Sequence, residues 1–162
     1  MKARTIKKNW RSTSMKNTES NIKRVFLDTN ILLDYLLERG TDGINADNIF
    51  EASTEGKIDL LTAAHSITNL SYIARKSLTH QQIKLAIMNF CGLCEVVDIN
   101  NDSIEKAIKA DYDPDFEDSL QIQCAVDSNS DCIVTRDKRG FGKSPIKVQH
   151  PSEFLEELQS HV

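Results

Sequence analysis

Asp28, Asp118 and Asp137 are the residues whose types and settings could do chemistry. Asp28 closes the apolar run Val25-Phe26-Leu27 and precedes Thr29-Asn30. Asp118 lies in Asp115-Phe116-Glu117-Asp118-Ser119-Leu120-Gln121, and Asp137 follows Ile133-Val134-Thr135-Arg136. Three carboxylates brought together without a cation repel and raise one another's pKa values. A hard dication removes that conflict, and Mg2+ or Mn2+ suits such a set because these ions prefer oxygen ligands and accept one or two carboxylates plus waters and a phosphate. Such an ion lowers the pKa of bound water and stabilises charge on an attacked phosphate. On this reading Asp28 and Asp137 are the primary ligands, and Asp118 either binds a second metal or orients the attacking water. Each aspartate also has an ordinary use, Asp28 and Asp118 at helix starts and Asp137 in a turn.

The elements that must position these acids follow from the apolar pattern. Residues 25–27 form a short strand, and Ile31, Leu32, Tyr35 and Leu36 then recur at helical spacing. A helix is expected over 45–55 with a stop at Gly56, then a strand over 58–61. Ser66 can cap a helix to about Lys76, and Thr79 another that turns Ile83, Leu85, Ala86, Ile87 and Phe90 inward, which together make a helical hairpin. Next come a strand over 95–99, a short helix after Asn101 or Asp102, and a helix over 116–128 with Asp115 as N-cap. A strand over 132–135, an edge strand over 147–149 and a helix from Pro151 through Leu158 complete the chain. Strands separated by helices need crossover connections, which predicts an α/β fold with a central, mainly parallel sheet and helices on both faces. Ligands of such sheets bind beyond the carboxyl ends of the strands. Asp28 and Asp137 should therefore project from one rim, with Asp118 at a helix start facing it.

In their order and settings the three acidic segments resemble the motifs of PIN domains, and the similarity runs from about Arg24 to Leu158. The resemblance implies a PIN-like three-layer α/β/α domain, placed at residues 22–162. It also implies a metal-dependent, usually RNA-directed phosphodiesterase, in bacteria often a VapC-like toxin held inactive by a protein antitoxin, with a homodimer as the expected assembly. One departure stands out. PIN proteins often carry a glutamate on the helix after the second strand, where this chain has Asn69. Asn offers a carbonyl oxygen to a metal or its water but brings no charge and cannot act as a base, so metal affinity should be lower than with glutamate. The alternative to a ribonuclease is thus a catalytically weak or inactive PIN-like module that binds RNA or protein.

Several neighbours have two readings each. Asn30 either hydrogen-bonds Asp28 or simply belongs to the first helical turn. Arg136 and Lys138, with Arg139 and Lys143, either guide a phosphate backbone toward Asp137 or form a solvated loop. His65 precedes a helix and either reaches the site or lies at the surface. Asp34 and Glu38 are assigned to the solvated face of the first helix, with reach to the rim as the alternative for Asp34.

Composition narrows the classes. The 162 residues, 40% hydrophobic and 27% charged with six Gly and three Pro, fit one soluble globular domain rather than a disordered or fibrous chain. No apolar run approaches the roughly 18 residues of a membrane span. Cys91, Cys94, Cys124 and Cys132 follow nothing that resembles a signal peptide, so they are expected to be reduced and the protein cytoplasmic. Cys91 and Cys94 have redox-like spacing but sit at a helix end rather than a helix start, where a thiol pKa would fall. No Gly-rich phosphate loop is present, which argues against nucleotide hydrolysis and hydride transfer. Six cations precede the first acid, Glu19, and residues 1–21 read as a flexible basic arm, either an RNA-contacting tail or an extension with no role. The body that follows is acidic, which counts against tight nonspecific phosphate binding but not against a metal-bridged phosphate.

Overall fold

Side-chain alternation along two short strands decides the layering. In β1 (Lys23–Leu27), Val25 and Leu27 enter one apolar cluster and Phe26 enters another; in β4 (Cys132–Val134), Cys132 and Val134 join the first and Ile133 the second. Successive residues of a strand face opposite sides of a sheet, so both faces of this one are buried. The computed structural model describes residues 23–112 and 115–160, and the basic arm expected over residues 1–21 lies outside them.

Five strands form one sheet in the order β3-β2-β1-β4-β5, with β2 at Ile58–Ala63, β3 at Cys94–Val97 and β5 at Lys147–Gln149. Every pairing is parallel, where the sequence predicts a mainly parallel sheet. On one face lie α1 (Thr29–Leu37), α2 (Gly40–Thr54), α3 (Ala64–Ala74), α4 (His80–Leu93) and α7 (Pro151–Ser160). The other face carries α5 (Asn101–Ala110) and α6 (Phe116–Asp127). The result is the expected three-layer α/β/α arrangement.

Local chemistry explains most of the helix ends. Thr79 and Gln82 form a reciprocal capping box at α4, with Gln82 N donating to Thr79 Oγ1 and Thr79 N to Gln82 Oε1. Asn100 accepts from Ser103 N at 3.0 Å and starts α5, while Gly56, at φ 81°, lets the chain turn after α2 in a conformation that penalises a Cβ. Two starts differ from the expectation. α2 begins at Gly40, five residues early, with no side-chain cap to mark it. α3 follows β2 directly, so Ser66 is buried within the helix rather than capping it. Behind β1, the rings of Tyr35, Phe50 and Phe90 meet with centroids 4.2–5.9 Å apart and lock α1, α2 and α4 together. Phe90→Ala, which removes the α4 ring from this cluster, should lower stability by about 3–5 kcal/mol, measured as a shift in the urea unfolding midpoint at unchanged slope.

Candidate functional site

Chain direction and strand order together place the site. From β1 the chain proceeds outward through β2 to β3, then returns to lay β4 against the other side of β1. All strands point the same way, so the carboxyl ends of β1 and β4 flank the crevice of a topological switch point, where open α/β sheets bind ligands. Asp28 follows β1 directly, and its N–H donates to Val134 O at 3.1 Å, which extends the ladder one residue past the strand. Asp137 comes three residues after the end of β4.

Asp28 is the best-supported side chain of the rim. It is 5% exposed. Thr135 Oγ1 donates to its Oδ2 at 2.6 Å, Asn30 Nδ2 donates to the same oxygen, and Gln121 Nε2 donates to Oδ1 at 3.1 Å. These donors are neutral. Burial raises the Asp28 pKa above its ordinary 3.8, and the hydrogen bonds from Thr135 and Gln121 offset that only in part.

The other two acids meet over a glycine. Asp137 Oδ1 accepts from Arg139 N at 3.1 Å and Gly140 N at 3.3 Å, which fixes the turn after β4. A Cβ on Gly140 would collide with Asp118 Oδ2 and lie 3.2 Å from Asp118 Cγ and 3.5 Å from Asp137 Oδ2. Gly140 does not have a positive φ, so close approach rather than backbone freedom requires it. Asp118 stands in the first turn of α6, which Asp115 caps by accepting from Glu117 N at 2.8 Å. Gln121, three residues on and hence on the same helical face, reaches Asp28. The α6 face toward the rim thus carries both an acid and the donor that orients another acid. Among the described residues, no three His, Cys, Asp or Glu side chains stand close enough to enclose a metal ion as they are. The arrangement is a pair, Asp118 with Asp137, and Asp28 joined to it through Thr135, whose hydroxyl also accepts from Asp137 N at 2.9 Å.

The remaining candidates have definite places. Asn30 donates to Asp28 and, at 3.3 Å, to Thr135 Oγ1, and its carbonyl accepts from Arg136 N at 3.4 Å. Asn69 lies on α3 and donates to Glu117 Oε1 at 2.6 Å, which ties it to a carboxylate of α6. The Arg136 guanidinium lies against Asp34 and Asp42, and Lys138 Nζ donates to both Glu153 carboxylate oxygens at 2.9 Å. Both imidazole nitrogens of His65 are buried without a hydrogen-bond partner, and burial pushes the ring's pKa below 6.5 against the pull of Glu117. Asp34, assigned from the sequence to a solvated face, is 1% exposed and paired with arginine. None of the four cysteines is in a disulfide; burial pushes the Cys124 thiol up to about 12 and Cys132 to about 11. No helix among the described residues is long and apolar enough to cross a membrane.

Sequence reasoning did not single out Thr135, Gln121 or Gly140. The signal for Thr135 was its place between a strand and Asp137; for Gln121 it was the three-residue spacing from Asp118. Gly140 had none, because only the fold brings it under Asp118.

Fold and site define a three-layer α/β/α protein with aspartates gathered at the switch point of a parallel sheet. The chain belongs to the PIN-domain family, whose sequence profile matches residues 24–139 and so spans all three aspartates. Comparison with curated protein sequences gives no match. Among solved structures, a toxin–antitoxin complex from Klebsiella pneumoniae is similar at 20% identity and a TM-score of 0.60, over 78% of this chain and 97% of that one. VapBC-1 from nontypeable Haemophilus influenzae gives 17% and 0.60, over 80% and 98%. The Mycobacterium tuberculosis toxin VapC20, described as cleaving the sarcin–ricin loop, gives 11% and 0.59, over 72% and 92%. At these identities the likeness is one of fold.

Two predictions follow from this geometry. With the Asp28 pKa raised on folding, its contribution to metal-free stability is fully present below the unfolded value and is lost as pH rises through the folded one. Asp28→Asn should therefore be more stable than wild type at neutral pH in chelator, with the gap closing below about pH 4 in urea titrations. Gln121 can turn its amide to suit, since its Oε1 faces Ser66 Oγ at 3.5 Å. Gly140→Ala should displace the Asp118 carboxylate while changing stability by less than about 1 kcal/mol; were a dication held there, its Mn2+ affinity in calorimetry would fall about tenfold.

Proposed function

We propose that this protein is a divalent-metal-dependent ribonuclease that cleaves RNA phosphodiester bonds and acts as the toxin of a toxin–antitoxin pair. The observation that carries this reading is the approach of Asp118 and Asp137 over Gly140 beside the buried Asp28. The donor set fits a hard dication. It is made of carboxylate oxygens, and one of the carboxylates is desolvated among neutral donors, so a cation would supply the charge its surroundings lack. Asp28, Asp118 and Asp137 would hold Mg2+ or Mn2+. Bound there, the ion would supply activated water and stabilisation of negative charge at the phosphate.

The chain's own residues do the positioning. Thr135, Asn30 and Gln121 fix both oxygens of Asp28, and the backbone of Arg139 and Gly140 fixes one oxygen of Asp137. Asn69 brings no charge of its own, but its hydrogen bond holds Glu117 between α3 and the acidic turn of α6. Arg139, next to Asp137 in the turn, is exposed and is the cation best placed to meet a phosphate backbone. Membership of the PIN-domain family supports a nuclease. The description of VapC20 supports RNA as the substrate, and the toxin–antitoxin complexes among the similar structures support a protein antitoxin as partner.

The test is cleavage of a mixed RNA pool with Mn2+ or Mg2+ by wild type, Asp28→Ala and Asn69→Glu proteins. Wild type should cut only with metal, and Asp28→Ala should lose more than about 100-fold of the rate, beyond the range typical of residues that merely support a ligand. Asn69→Glu should keep cutting at a lower metal concentration. Metal-independent RNA binding with no cleavage at any protein level would instead identify a non-catalytic binding module.

A further inference from the structure

Arg136 immediately precedes Asp137, and its charge alone recommends it as a phosphate ligand. Its contacts lead elsewhere. Arg136 Nε lies 2.6 Å from Asp34 Oδ2 and Nη1 lies 3.2 Å from Asp42 Oδ2. Asp34 belongs to α1 and is 1% exposed; its other oxygen is 3.5 Å from Arg39 Nη1. Asp42 stands in the first turn of α2. Two acids and two guanidiniums thus connect α1, the α1–α2 corner and the segment leaving β4.

The corner itself is built for this. Glu38 takes a left-handed φ of 50°, and a Cβ on Gly43 would come within 2.9 Å of the Glu38 carbonyl carbon and 3.2 Å of Asp34 O. Only a residue without a side chain lets α2 pack this close to the end of α1, and that closeness holds Asp42 in reach of the arginine. A carboxylate as buried as Asp34 requires cationic or hydrogen-bonding partners. One broad guanidinium reaches two carboxylates at once, Asp34 and Asp42, for which the compact charge of a lysine is poorly shaped. The backbone of Arg136 is tied as well, through its N–H to Asn30, which in turn donates to Asp28.

We propose that Arg136 is a positioning residue: by anchoring the segment after β4 to Asp34 and Asp42 it sets the Asp137 carboxylate against Asp118, and it does not bind the RNA phosphate. This inference rests on the nuclease reading of the site for its catalytic consequence. Asp42 supplies the decisive variant, because Asp42→Asn loosens the anchor while leaving the arginine and its charge in place, and Asp42 is exposed enough for the fold to tolerate the change.

The experiment compares full-length wild type with the anchor variants Asp42→Asn and Arg136→Lys, and adds Arg136→Gln to remove the charge. It measures amide hydrogen exchange of residues 137–140 without metal, the Mn2+ dissociation constant by calorimetry, kcat and KM on RNA, and the salt dependence of RNA binding. Both anchor variants should exchange these amides faster and bind Mn2+ about tenfold more weakly. Their kcat should fall, with KM and the slope of log K against log salt unchanged. The proposal is overturned if Asp42→Asn matches wild type in Mn2+ affinity and amide exchange. It is equally overturned if Arg136→Gln flattens the salt slope by about one, as loss of a phosphate contact would. A wild-type protein that neither binds Mn2+ nor cuts RNA would refute the nuclease reading, and the exchange rates would still decide whether Arg136 anchors Asp137.

Discussion

One hydroxyl joins the two halves of the site. Thr135 Oγ1 donates to Asp28 and accepts from Asp137 N and Asn30 Nδ2. One donor and two acceptor lone pairs are all that a hydroxyl has, and here each is used. This atom lies where β1 and β4 end side by side, so the distance between Asp28 and the turn that carries Asp137 is set by a saturated, short-range contact. Buried polar groups in such networks are rigid because every alternative position leaves one of them unsatisfied. Gln121 from α6 closes the arrangement on the other side of Asp28, so both layers flanking the sheet contribute to it.

The electrostatics of the rim are graded by depth. Asp28 sits lowest, desolvated and supported by dipoles alone, and its proton is correspondingly hard to remove. Asp118 and Asp137 stand over a glycine, in the turn of α6 and the turn after β4, where backbone N–H groups face carboxylate. Positive charge is present nearby but mostly occupied: Arg136 faces Asp34 and Asp42, and Lys138 faces Glu153. Asp118 and Asp137 thus both bring a carboxylate oxygen close to Gly140 while Arg136 and Lys138 are held by other acids, and a small dication suits such an oxygen set.

Much of this was legible in the chain because period and punctuation agree with the fold. Strands β1, β2 and β4 are short apolar runs between turn residues, and Thr79, Asp115 and Pro151 each mark a helix start by their own chemistry. Legibility failed where the determining neighbour is remote in sequence. Asp34 looks like a surface residue of an amphipathic helix until Arg136 arrives from the end of β4 to pair with it. Ser66 has the composition of a cap, yet β2 passes into α3 without a loop and leaves it inside. Gly140 has no sequence mark at all, since its meaning is the volume it leaves to Asp118. The acids themselves could be named from their local settings, but their division into a close pair and a buried third depends on Thr135, Gln121 and Gly140.

The strand order has a consequence for how the molecule comes into being. Asp28 and Thr135 are 107 residues apart in sequence, and β1, at the centre of the sheet, lacks one of its two neighbours until β4 has been made. Pairing of β1 with β2, and of β2 with β3, can form on the ribosome, but a contact of such long range closes late, after the entropy of the intervening loop has been overcome. A nascent chain that has not yet exposed β4 carries Asp28 without Thr135, Asp118 without its glycine-floored partner, and no crevice between them. The acidic site therefore assembles only after β4 and the turn that follows it have been made, and a chain stalled before that point lacks it.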